Sequence, residues 1–169
     1  MSSDVTQVKG LAQLQAALDQ LPAKIEANIM RGAMRAGAKV LLAEAKGTAA
    51  FADDTGALRA SLRITTSVRR GTVTAAVKAG STKADKRPWY ARFVEYGTKP
   101  HVIRAKPGGL LAIGVKVANH PGAKARPYLR PALDARAGDA VQAMAAYIRG
   151  RLSSKHGIDV PAPREEGDE

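Results

Sequence analysis

Residues 62–80 read LRITTSVRRGTVTAAVKAG, and their pattern decides the fold class. Leu62, Ile64, Thr66 and Val68 alternate with polar residues, Arg69 to Gly71 interrupt the run, and Val73, Ala75, Val77 and Ala79 alternate again. A period of two on both sides of a glycine-containing break specifies a β-hairpin of two half-buried strands. Such a pair cannot stand alone in water, so the sequence on either side must supply the layer it packs on.

That layer lies upstream. Leu11, Leu14, Leu18 and Leu21 fall on one face of a short helix that stops at Pro22. From Ala23 to about Ala50, Ile25, Ile29, Ala33, Ala36, Val40 and Ala43 form a second apolar stripe at helical spacing, the longest in the chain. Gly32 and Gly37 interrupt it at a cost of about 1 kcal/mol each, tolerable where another element approaches closely. On the other side Arg31, Arg35 and Lys39 step by four residues and Lys46 returns near the same azimuth. This basic stripe reads as an ordinary solvated face or as a surface turned toward DNA or an acidic neighbour.

Downstream, Gly80 to Pro88 is a polar loop carrying Lys83, Lys86 and Arg87. In YARFVEYGTKPH, residues 90–101, the positions of Tyr90, Phe93, Val94 and Gly97 specify a short helix capped by Gly97, with its aromatic residues on one buried side. Burial predicts that Phe93→Ala costs about 3 to 5 kcal/mol. His101–Lys106 and Leu110–Val117 read as two further strands about the turn Pro107-Gly108-Gly109. Residues 119–126 form a loop with Lys124 and Arg126, and Pro127 or Pro131 opens a last helix with Leu133, Ala137, Val141, Met144, Ile148 and Leu152 on its apolar face. The expectation is an α+β fold, an antiparallel sheet of about four strands against a long N-terminal and a C-terminal helix. One domain spans residues 10–152, between a flexible segment 1–9 and a flexible acidic tail 153–169.

Composition bounds the function. The chain of 169 residues has no cysteine, which removes disulfides and thiolate chemistry and fits a reducing site of folding. No signal peptide or membrane-spanning run is visible, so a soluble protein is expected. Net charge is +12, unevenly placed: residues from Asp159 onward carry −4 and the remainder +16, a body that attracts polyanions or reflects solubility alone. His101, His120 and His156 lack metal-ligand spacing, and no nucleophile elbow or phosphate loop is present. Asp54-Thr55-Gly56 spells the triplet of aspartic proteases, but it follows the polar turn of residues 51–53 instead of an apolar strand, so Asp54 or Thr55 reads as a turn or helix cap. Glu95, on a short helix in a basic protein, pairs with an arginine. No enzyme activity, cofactor or metal is expected, and any DNA contact is to phosphates.

Four marks stand in order: GLAQLQAALDQLPAKIE at Gly10–Glu26, TGALRASL with Thr55, Gly56 and Leu58, YARFVEYGT with Tyr90, Phe93, Glu95, Tyr96 and Gly97, and HPGAKARPYLRPAL with Pro121, Gly122, Pro127, Tyr128, Leu129 and Pro131. Together they resemble the tail-component family of tailed bacteriophages, head-tail joining or tail-completion proteins akin to the minor tail protein Z group, over nearly residues 10–150. Tyr128 stands where phenylalanine is more frequent. The resemblance implies a non-enzymatic virion protein assembled in the host cytoplasm. It implies a ring of identical copies, a hexamer, at the neck between the head connector and the tail, around the DNA channel. The alternative is a basic, non-specific DNA-binding protein without a virion role.

Overall fold

The computed structural model describes residues 11–53, 55–80 and 88–160. The segment 1–9, Asp54, the loop cations Lys83, Lys86 and Arg87, and residues 161–169 lie outside the described residues. The elements run α1 (Leu11–Asp19), α2 (Ala23–Gly47), α3 (Ala57–Ser61), β1 (Arg63–Arg69), β2 (Thr72–Lys78), α4 (Ala91–Tyr96), β3 (His101–Arg104), β4 (Val117–His120) and α5 (Leu129–His156). The class is α+β, but the strands form two separate antiparallel pairs, β1-β2 and β3-β4, in place of one sheet of four.

The centre is the antiparallel pair α2 and α5. Its N-terminal α2 end carries one core, in which Leu14, Leu18, Ile29 and Ala33 meet Ala145, Ile148 and Leu152. At the other end Ala45, Phe51, Leu58, Leu62, Ala91, Tyr128 and Ala132 form a second core. Between them the helices touch through small residues. A Cβ on Gly37 would lie 2.8 Å from Met144 Cγ and 2.9 Å from the Ala140 carbonyl oxygen, and one on Gly32 would overlap the Tyr147 ring. This close approach is the role that the two glycines of the stripe require.

The hairpin β1-β2 packs on α2. Its register pairs Val68 with Val73, and Val73, Ala75 and Val77 are half-buried between exposed neighbours, as alternation dictates. Arg70 (φ 48°) and Gly71 (φ 78°) make the two-residue turn, whose paired positive φ angles match the twist of the strands.

Three expectations are corrected. The fourth strand is β4 at Val117–His120, because the stretch 105–116 is spent on two reverse turns, Gly109 N–H to Lys106 O at 2.9 Å and Gly114 N–H to Leu111 O at 2.8 Å. In α5 the apolar face does not run straight from Leu133. Arg136 has non-helical angles (φ −125°, ψ 15°), so the phase changes there; Leu133 is 50% exposed and Ala137 is exposed, while Ala132, Ala140, Ala145, Ile148 and Leu152 are buried. The helix also continues past Leu152 to His156, and Ile158 and Val160 pack on the first core, so the domain boundary expected at residue 152 falls inside packed structure.

Candidate interaction surface

The short helix α4 is fixed from beneath by a carboxylate. Glu95, only 3% exposed, accepts hydrogen bonds from the backbone N–H groups of Tyr128 (2.8 Å), Leu129 (3.0 Å) and Arg130 (3.3 Å). These are three of the four donors that the start of α5 leaves without an intrahelical partner, and the fourth position, Pro131, has no N–H. The buried negative charge thus sits at the positive end of α5. Arg130 pairs with the same carboxylate at 3.6 Å and lays its guanidinium over the Tyr96 ring at 4.6 Å. The expected arginine partner is present, with capping as the larger role.

Tyr128 is the pin of this corner. Its side chain is 1% exposed, its ring lies 4.8 Å from that of Phe51, and its hydroxyl donates to the Ala91 carbonyl oxygen at 3.4 Å. Burial, with the Glu95 charge second, pushes the phenol up to about 12. The neighbouring turn is closed in the same manner. Asp53 accepts from the N–H groups of Leu58 (3.3 Å) and Arg59 (2.8 Å), and Thr55 Oγ1 accepts from Ala57 N–H (3.3 Å), so the start of α3 is capped by Asp53 and Thr55. Arg59 covers the Phe51 ring at 4.7 Å and donates to the Lys46 carbonyl oxygen, tying the end of α2 to this corner.

Three of the four sequence marks therefore converge. Leu58, Ala91 and Tyr128 share one core; Arg126 N–H donates to Val94 O at 2.8 Å; Thr98 and Ala123 exchange N–H···O bonds of 2.9 and 3.1 Å. Gly97, with φ 69°, passes so close that a Cβ there would meet the Ala123 carbonyl oxygen at 2.6 Å. Pro121 is exposed, Gly122 and Pro127 are half-buried, and Leu129 packs on the core. The first mark, in α1, lies in the other core.

The aromatic side of α4 is a correction. Ala91 and Glu95 are its buried residues, whereas Phe93 is 44% and Tyr96 62% exposed and Tyr90 only half-buried. Trp89, which the sequence reading passed over, is 70% exposed and stands edge-on to Phe93 at 5.7 Å. Trp89, Phe93 and Tyr96, with Arg92, Lys99 and Ile103, line an open groove of about 750 Å³. Beside it projects the β3-β4 hairpin, whose Val102, Ile103, Leu110, Ile113, Val115 and Val117 are all exposed. His101 and His120 face each other across this hairpin, ring centroids 4.9 Å apart.

Of the cations, Arg31, Arg35, Lys39 and Lys46 are exposed along α2, and Lys124 and Arg126 are exposed on the loop before α5. Among the described residues no group of three or more His, Cys, Asp or Glu side chains is placed to hold a metal ion, and no helix is long and apolar enough to cross a membrane.

No curated protein and no solved structure matches the chain. A protein-family model described as "Bacteriophage HK97-gp10, putative tail-component" matches residues 12–97, from α1 through α4, a narrower span than the sequence marks suggested because the loop and helix beyond Gly97 fall outside it. With half of its length matched, from the leucine helix to the glycine that ends α4, the chain belongs to the HK97-gp10-like family of bacteriophage tail components.

Proposed function

We propose that the chain is a structural protein of the phage neck, joining or completing the tail at the head-tail interface as a ring of six copies around the DNA channel. The observation that carries this reading is the β3-β4 hairpin. Among the described residues it is paired with no other strand, and six large apolar residues on it and its connecting segment are exposed. A two-stranded hairpin is marginal in water, and an apolar surface of that extent marks a protein contact. Rings use two different surfaces of each protomer, and an arm that reaches a neighbour's different face meets that requirement.

On this reading the chain has no catalytic role. The carboxylates best placed to suggest one, Asp53 and Glu95, are hydrogen-bonded to backbone amides at helix starts. The exposed stripe of Arg31, Arg35 and Lys39 favours a second element, contact with DNA phosphates or with an acidic neighbour. Charge reversal at all three positions is expected to impair particle assembly or DNA retention; unchanged infectivity would remove this element alone. If the chain were instead a DNA-binding protein without a virion role, the isolated protein would bind duplex tightly with a steep salt slope.

The direct test is deletion of the gene from its parent phage followed by negative-stain electron microscopy of the induced lysate. DNA-filled heads separate from tails are expected. Normal infectious virions would overturn the neck assignment.

A further inference from the structure

The groove beside α4 combines two chemistries. Its floor presents the exposed rings of Trp89, Phe93 and Tyr96, and its rim carries the exposed cations Arg92 and Lys99, with no Asp or Glu among the described lining residues. A ligand that fits must offer flat apolar faces to the rings and negative charge to the rim. The chain itself contains such a segment. Residues 161–169 read PAPREEGDE, with Pro161 and Pro163 followed by Glu165, Glu166, Asp168 and Glu169 against Arg164. Proline fixes φ near −65° and so lowers the entropy cost of docking an extended segment, which is why aromatic-lined grooves select proline-bearing peptides.

Where the segment starts indicates which copy supplies it. α4 is held at the N-terminal end of α5 by Glu95, whereas residue 161 follows Val160, which is buried in the core at the opposite end. The segment thus starts at the end of the helix pair away from the groove of its own chain, which favours the groove of a second copy as its site.

We propose that the Trp89–Phe93–Tyr96 groove binds the proline-bearing acidic segment Pro161–Glu169 of a second copy of the chain. Copies then link head to tail, the heterologous arrangement that a closed ring needs. The proposal rests on the self-assembly read above, and names the contact that makes it.

Trp89 is the only tryptophan of the sequence and lies in the groove, so its emission reports occupancy. The first measurement adds a synthetic peptide of residues 160–169 to the full-length protein. A saturable blue shift is expected, weakened at least about tenfold in an Arg92→Glu, Lys99→Glu variant because the rim charge is reversed. Absence of a saturable change at millimolar peptide, or equal binding by that variant, overturns the proposal.

The second measurement follows sedimentation and Trp89 emission of the full chain with rising concentration. Mass and blue shift are expected to rise together, to be lost in Glu165→Lys, Glu166→Lys and in Arg92→Glu, Lys99→Glu, and to return when these two variants are mixed. A blue shift independent of concentration means docking within one chain and overturns it. Association with silent Trp89 also overturns it while leaving the ring intact, since copies then meet elsewhere. The deletion phenotype tests the neck role independently.

Discussion

Replacing Glu95 by alanine removes the acceptor for three amides at once, and the structure sets the size of the effect. The Tyr128 N–H is buried, so its loss of a partner carries the full penalty for an unsatisfied donor, about 1 to 3 kcal/mol. The Leu129 and Arg130 amides are part-buried and can recruit water, which limits their share to about 0.5 to 1 kcal/mol each. The sum, about 2 to 5 kcal/mol, is a large part of the 5 to 15 kcal/mol typical of a whole domain. Glu95→Gln keeps one carbonyl oxygen as an acceptor but loses the charge at the helix end, and should cost about 1 to 2 kcal/mol. The assay is urea unfolding followed by circular dichroism at 222 nm, with hydrogen exchange at residues 128–130 as a local readout. A loss under about 1 kcal/mol for the alanine variant, or equal losses for the two, would refute the capping account, because the first denies the bonds and the second reduces their effect to side-chain volume.

Phe93→Ala should cost only about 1 kcal/mol, not the 3 to 5 expected of a buried ring, since nearly half of the side chain is already in water; a larger loss in unfolding free energy would return Phe93 to the core. Gly37→Ala should destabilise by about 1 to 2 kcal/mol despite its better helix propensity, because the Ala140 carbonyl cannot move aside, whereas Gly150→Ala, with nothing near its Cβ, should stabilise by about 0.5 to 1; thermal melts of both decide. Tyr128 makes stability fall at high pH. Its neutral form is favoured by folding, so the contribution is complete below the ordinary tyrosine range near 10 and is lost as pH rises through the folded value of about 12. Tyr128→Phe should therefore flatten the loss of unfolding free energy measured from pH 9 upward; an unchanged slope would show that the phenol is not held neutral.

What the sequence made legible is what one buried face repeats over several turns. β2 and most of α2 were readable because each keeps one side against the same neighbours, so period and burial agree there; Ala43 of the α2 stripe is exposed while Ala38 and Ala45 are buried, and in β1 Val68 is exposed where alternation placed it inward. α4 has only six residues, fewer than two turns, and its apolar side chains fit either face. The inner face is held by alanine and a carboxylate, which no hydropathy reading selects, because the compensating amides of α5 lie 33 to 35 residues away. In α5 the single non-helical residue Arg136, paired with Glu44 at 2.9 Å and Asp139 at 2.7 Å, shifts the phase and turns Leu133 outward. The misreadings at Phe93, Tyr96 and Leu133 share one cause: sequence hydrophobicity assigns such residues to this chain's own core and cannot show that the core was completed by smaller residues. Alanines and glycines let α2 and α5 close on each other, so several of the largest apolar side chains are left over at the surface. On the proposed assembly that surplus is expected, since apolar surface omitted from the protomer core is what a neighbouring copy can bury.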